Sequence, residues 1–127
     1  VYRDLFYSTS GAAGMGIAYW SRAPGSWGPY ESDGTPRNLI GVLNRAYPRA
    51  VAGQLHNWTS NPDSLEILVT PDGNVTAPSE VYLPAEGFLD GGVVSFGSFF
   101  SWAPAVRILR FTVDPAEGAQ RVVVTPR

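Results

Sequence analysis

The sequence contains no cysteine and no lysine, and it contains one histidine. Without cysteine there can be no disulfide bond, no thiolate nucleophile and none of the common structural zinc sites. Ordinary acid–base or triad catalysis would depend on His56 alone. All nine basic residues are arginine, and a G+C-rich genome explains this more simply than selection for bidentate pairing.

Charge is also scarce, since charged residues make up 16% of the chain and the net charge is -2. No block of like charge occurs, so a nucleic acid is not expected as a partner. Residues 91–106 form a long uncharged stretch, which includes three serines and a proline and alternates in polarity. It is too short and too polar for a membrane helix, and no membrane insertion is expected.

No cofactor is expected either. The glycines of residues 11–16 stand in the order G-x-x-G-x-G, which reverses the dinucleotide-binding fingerprint. A strand-like segment follows them, where that fingerprint requires a helix. A turn between two strands is the better interpretation.

What the chain does contain is short apolar segments separated by proline- and glycine-rich turns. Its 127 residues suit one core, so a single domain over residues 1–127 is expected. The pattern predicts a mainly β protein of about seven to eight short strands and one α-helix. The architecture expected is an antiparallel β-sandwich or a distorted barrel.

Gly92–Trp102 is predicted to be the central strand of this sheet structure. Alternation places four large apolar residues on one of its faces: Val94, Phe96, Phe100 and Trp102. A turn at residues 103–105 would then pair it with Val106–Val113. Apolar residues change parity within that second strand, which predicts either a β-bulge near Ile108 or burial on both faces.

Other elements follow from local signals. Thr35 can cap a helix that starts at Pro36 and continues to Ala46, with Leu39, Ile40 and Leu43 in one apolar stripe. Ser64–Thr70 and Val75–Leu83 are predicted to form a hairpin around a Pro-Asp-Gly turn. Arg121–Thr125 is the last predicted strand.

Aromatic residues in and near loops are the candidate ligand-binding residues: Trp20, Trp27, Tyr30 and Trp58. The segment from Arg22 to Pro36 is too rich in proline and glycine to bury its own backbone, so its aromatic rings would either stack on a sugar or dock on a partner. Alternatively, these rings fold back as a lid over the sheet.

The function expected first is a non-enzymatic structural or assembly module, such as a decoration, appendage or filament subunit. Such a module would act by self-association or by contact with another surface protein. Arg121, Val123 and Thr125 are its candidate assembly edge, because a terminal strand often lies at a sheet edge. The location expected is extracellular or on a virion surface, and two N-x-T sequons at Asn57 and Asn74 weakly favour a secreted protein.

The alternative function is a lectin-like module that binds a glycan through the loop aromatics. A hydrolase is the third interpretation, and the sequence leans against an enzyme. His56 has no G-x-S-x-G partner, so it is interpreted as a polar loop histidine, and no catalytic residue is assigned. Glu31 and Asp33 resemble a fragment of a calcium loop but lack its other ligands, so no metal residue is assigned.

Overall fold

The computed structural model describes residues 28–127. The chain divides into two compact units, Val1–Asn44 and Arg45–Arg127. A single domain over residues 1–127 stays a prediction.

The described part of the first unit contains a short helix, α1, over Leu39–Leu43. It is shorter than the predicted Pro36–Ala46 because its expected first turn is extended. Pro36 forms an isolated antiparallel bridge with Tyr30, and the Arg37 N–H donates to the Pro29 carbonyl at 2.9 Å. Among the described residues, no helix is long and apolar enough to cross a bilayer.

The second unit contains eight strands in two four-stranded antiparallel sheets, counted over the described residues. Their bounds are β1 Tyr47–Ala50, β2 Gly53–Asn61, β3 Ser64–Pro71, β4 Ser79–Tyr82, β5 Gly92–Val94, β6 Ser98–Ala103, β7 Ile108–Thr112 and β8 Gln120–Pro126. The first sheet has the order β1-β4-β7-β6 and the second has the order β2-β3-β8-β5. The predicted mainly β, sandwich-like fold is confirmed.

The core is formed by the inward residues of both sheets. In β3 and β8 every second residue is buried, as expected for strands with one face on a core. Fully buried members from the two sheets include Leu65, Ile67, Val81, Leu109, Phe111, Val122 and Val124. Phe88, which lies in the loop between β4 and β5, also belongs to this cluster.

The predicted central strand Gly92–Trp102 is wrong as a single element. Its beginning is β5 in the second sheet and its end is β6 in the first sheet. The two are separated at Gly97, which has a φ of 90°, a value that other residues rarely adopt. Phe96 was expected in the core, but it is 53% exposed, because the strand ends before it.

The predicted hairpin of Ser64–Thr70 with Val75–Leu83 is also wrong. β3 pairs with β2 and β8, whereas β4 pairs with β1 and β7. Each strand alternates correctly, but the two lie in different sheets. For the change of parity in β7, a β-bulge and burial on both faces were left open. The register of β7 with β4 is continuous, and the shift in its pairing with β6 places the extra residue in β6, between Phe99 and Ser101. Both Ile108 and Leu109 are buried, so burial on both faces applies.

One arginine holds the long loop that joins β4 to β5. The Arg107 guanidinium donates to the carbonyls of Leu83, Pro84, Phe88 and Leu89. It also lies over the Trp102 ring, with 5.0 Å between the guanidinium carbon and the ring centroid. A loop without regular hydrogen bonding therefore gains partners for four of its carbonyls from a single side chain.

Candidate functional site

The outward face of β2, β3 and β8 presents a compact set of polar and apolar side chains. The register places Asn57 opposite Leu68 and Leu68 opposite Arg121. The adjacent row, one residue along each strand, points inward and consists of Trp58, Ile67 and Val122. Because side chains alternate across a strand, the first row lies on the outer surface of the sheet.

These residues surround a shallow depression with a volume of about 320 Å³. Its lining consists of Asn57, Trp58, Thr59, Glu66, Ile67, Leu68 and Arg121. Leu68 is 41% exposed and lies in the middle strand of the three. We call this surface the outer depression. It combines an apolar centre with amide, hydroxyl, carboxylate and guanidinium groups around it.

An ion pair forms one side of the outer depression. Arg121 Nε donates to Glu66 Oε2 at 3.0 Å, and Arg121 Nη2 donates to the same oxygen. The Arg121 side chain is 68% exposed, so water screens the pair and its contribution to stability is small. The pair instead fixes the direction of both side chains on this face.

Trp58 reaches the outer depression, but its ring is already in contact with other groups. The ring packs against the core cluster on the inner side of the sheet. The guanidinium carbon of Arg45 lies 5.3 Å from its centroid, a cation–π distance. Burial lowers the pKa of Arg45. Trp58 is therefore not a free stacking platform, in contrast to an aromatic residue on an open loop.

The other predicted aromatic residues belong to the first unit. Trp20 and Trp27 lie outside the described residues. Tyr30 is half-buried and lies in the bridge with Pro36 in the first unit. Ligand binding by these four aromatic residues stays a prediction.

The expected assembly edge, Arg121, Val123 and Thr125, is not at an edge. These residues lie in β8, which pairs with β3 on one side and with β5 on the other. The Val123 carbonyl accepts from the Ser95 N–H at 2.8 Å, and the Val123 N–H donates to Ser95 Oγ at 3.0 Å. Although β8 is the last strand of the sequence, it is an interior strand of its sheet because β5 pairs with its free side.

His56 lies in β2 rather than in the expected loop, at the register shift between Leu55 and Asn57. Its Nε2 is 2.7 Å from the Thr70 hydroxyl oxygen, on an exposed surface. In the part of the chain that the structure describes, no group of three or more His, Cys, Asp and Glu side chains is arranged to hold a metal ion.

The carboxylates Glu31 and Asp33 both carry interactions that favour the charged form. The hydrogen bond from Arg37 to Glu31 lowers the pKa of that carboxyl below its ordinary value. The Thr35 N–H, which donates to Asp33 Oδ1 at 2.9 Å, lowers the pKa of Asp33. A general acid requires the opposite shift. Glu31 and Asp33 lie in an ordered turn, in which the Glu31 carboxylate accepts from Arg37 and the Asp33 carboxylate accepts from the Thr35 backbone N–H.

Asn57, Glu66 and Leu68 were not predicted as site residues. Leu68 did carry a signal in the sequence: Leu65, Ile67 and Val69 alternate toward the core, and Leu68 is an apolar residue at an outward position between them. Asn57 and Glu66 gave no such signal. Glu66 lies on the same outward face of β3 as Leu68. The position of Asn57 beside Leu68 depends on a pairing of β2 with β3 that the sequence did not predict.

No family model matches this chain, and no curated protein does either. Solved structures do match. The chain is 40% identical to an endo-glycoceramidase II from Rhodococcus sp. in its complex with a five-membered iminocyclitol, with a TM-score of 0.87. The same protein matches as a lactosyl–enzyme intermediate, with a TM-score of 0.86, and in complex with ganglioside GM3, with a TM-score of 0.87.

The match covers 99% of this chain and 29% of the iminocyclitol-bound structure. The chain therefore spans less than a third of the solved proteins that it resembles. The neighbours are structures of an endo-glycoceramidase, among them a lactosyl–enzyme intermediate and a ganglioside GM3 complex, so the expected structural or assembly module is wrong. Over nearly its whole length, the chain is similar to one part of an endo-glycoceramidase.

Proposed function

We propose that this chain is a β-sandwich domain of a glycoside hydrolase that acts on glycolipids, and that it contributes glycan binding rather than the catalytic step. The observation that carries the proposal is the 40% identity to endo-glycoceramidase II over 99% of this chain. Most of each matching structure lies outside the shared region, which leaves room for a catalytic site elsewhere. A ganglioside GM3 complex of the same neighbour supports a glycolipid as the substrate class.

The chemistry of the described residues supports a non-catalytic role. A lactosyl–enzyme intermediate, as in one neighbour, requires a nucleophile and a proton donor facing the same sugar. Three glutamates of this chain are instead paired with arginine: Glu31 with Arg37, Glu66 with Arg121, and Glu80 with both Arg49 and Arg110. At Glu31 the hydrogen bond from Arg37 lowers the pKa of the carboxyl, which disfavours its use as a general acid.

Glycan binding is the role that fits the surface. Sugar-binding sites combine an apolar patch with a few oriented polar groups, because a sugar ring has C–H faces and a rim of hydroxyl groups. The outer depression has both kinds of group. The neighbours' complexes with cellobiose-like compounds and with GM3 support an oligosaccharide as the ligand class.

The proposal is tested by comparing two proteins on GM3 in detergent micelles: the 127-residue chain, and the longer, full-length product of the gene that encodes it. Chromatography of released oligosaccharide is the measurement. We expect release by the longer protein and none by the 127-residue chain. Release by the 127-residue chain alone, or no glycosidase activity in the longer protein, would contradict the proposal.

A further inference from the structure

We infer that the outer depression is a binding subsite for a neutral hexose unit of an oligosaccharide. The ligand class rests on the proposed function, whereas the position and the preference for an uncharged sugar rest on the geometry of β2, β3 and β8. The volume of about 320 Å³ is near the lower limit of small-ligand sites, about 300–1,000 Å³. It suits one sugar ring rather than a chain of several.

The centre of the outer depression suits the C–H face of a sugar ring. Leu68 is 41% exposed and is flanked across the strands by Asn57 and Arg121. Removing this aliphatic surface from water is favourable only if the ligand covers it with apolar atoms. A hexose ring can do so while its hydroxyl groups point outward toward the polar rim.

The rim can bind hydroxyl groups of a sugar. The Glu66–Arg121 contact uses Oε2 of Glu66 and Nε and Nη2 of Arg121. Within residues 28–127, this contact leaves Glu66 Oε1 as an acceptor and Arg121 Nη1 as a donor. Sugar hydroxyl groups, each of which both donates and accepts, can bind either group.

Asn57 supplies a third polar group whose direction is already set. Its Oδ1 accepts from the Trp58 N–H at 2.8 Å, which orients the amide so that Nδ2 is the group left to donate. Because the Trp58 backbone N–H holds the amide, a ligand hydroxyl would bind it without first ordering the side chain. Thr59 lies next to it on the same outward face.

The charge pattern favours a neutral sugar over an acidic one. A sugar carboxylate would have to compete with Glu66 for the Arg121 guanidinium, and it would lie beside the Glu66 charge. Like charges at such a distance repel, and an unsatisfied carboxylate is costly to desolvate. A neutral hexose leaves the ion pair intact.

The test is a ¹H–¹⁵N NMR titration of the 127-residue chain with lactose and, separately, with sialyllactose. We expect saturable shifts of the amides of Asn57, Glu66, Leu68 and Arg121 with lactose, and weaker binding of sialyllactose to the same amides. Arg121→Ala and Leu68→Ala should each weaken lactose binding by about tenfold, the effect of losing one hydrogen bond to a charged group or one apolar contact.

Arg49→Ala is the matched control, because Arg49 is also exposed and paired with a glutamate, Glu80, but in the other sheet. It should leave the lactose affinity unchanged, and all three variants should keep the dispersed spectrum of a folded chain.

Saturable shifts at a different surface would overturn this inference and leave the proposed glycan binding standing. If no saturable shift appears with lactose, sialyllactose or GM3 oligosaccharide, both are wrong. Tighter binding of sialyllactose at these four amides would overturn the preference for a neutral sugar.

Discussion

Arg107 is the residue on which the loop between β4 and β5 depends. Its side chain donates to four loop carbonyls and covers Trp102. A planar guanidinium with five donors can serve several acceptors at once, whereas an ammonium is a compact point charge. Nothing in the local sequence, Ala105-Val106-Arg107, distinguishes this arginine from the others, because its partners lie about twenty residues earlier in the chain.

Replacing Arg107 by alanine should lower the free energy of unfolding by about 2–4 kcal/mol, because several partly buried carbonyls would lose their donors. Arg107→Lys should recover only part of this loss. Urea denaturation followed by tryptophan fluorescence measures both. Arg121→Ala provides the control, and its exposed ion pair should change stability by about 0–1 kcal/mol. Equal effects at the two positions would contradict the assigned role of Arg107.

Glu31 provides a prediction that depends on pH. Arg37 lowers the pKa of this carboxyl below the ordinary value of 4.5. A carboxyl whose pKa is lower in the folded chain than in the unfolded chain stabilises the fold at any pH above its ordinary pKa. This stabilisation is lost as the pH falls through the pKa of the folded chain. Side-chain carbon NMR should show Glu31 titrating below 4.5, and Arg37→Gln should raise its pKa. An unchanged titration in Arg37→Gln would show that the hydrogen bond is not the cause.

At the scale of elements, the crossing between the two sheets at Gly97 decides the architecture. The chain leaves β5 in one sheet and enters β6 in the other within three residues, Ser95 to Gly97. A Cβ atom at Gly97 would lie 2.2 Å from the Thr112 carbonyl oxygen. The crossing therefore requires both a positive φ and the absence of a side chain.

Gly97→Ala should lower the free energy of unfolding by more than about 2 kcal/mol, because the strain of a positive φ adds to a clash with the backbone. Gly118→Ala is the matched control: Gly118 also has a positive φ, 71°, but nothing lies within 4 Å of its Cβ position. Its loss should be about 1 kcal/mol, the conformational part alone. Thermal unfolding measures both variants. Equal losses would mean that Thr112 moves aside easily.

At the scale of the whole molecule, the two sheets bury one core while some of the most hydrophobic residues stay outside it. Phe96 was expected inside and is 53% exposed, whereas Phe111 is 1% exposed. Phe111→Ala should therefore lower the free energy of unfolding by about 3–5 kcal/mol, and Phe96→Ala should lower it by less than about 1 kcal/mol. Chemical denaturation distinguishes them, and a large loss for Phe96→Ala would show that this ring has a partner.

The sequence alone predicted most strands of the second unit because alternation is a local property. Ser64–Thr70 and Arg121–Thr125 were placed within two residues of β3 and β8. It missed β1, over Tyr47–Ala50, and β2, over Gly53–Asn61, since both strands are mostly exposed and have no apolar alternation. It also extended α1 at both ends, because a capping signal at Thr35 and Pro36 does not show that Pro36 bridges to Tyr30.

Composition and periodicity by themselves determined the mainly β class, the turn-rich outline and the absence of thiol chemistry, since each depends on residue type or on near neighbours. Only the tertiary structure decided which strands pair. That decision splits Gly92–Trp102 between two sheets, makes the terminal strand β8 interior and assembles Asn57, Leu68 and Arg121 on one face. Pairing joins residues up to about sixty positions apart, and alternation within one strand carries no information about its neighbour.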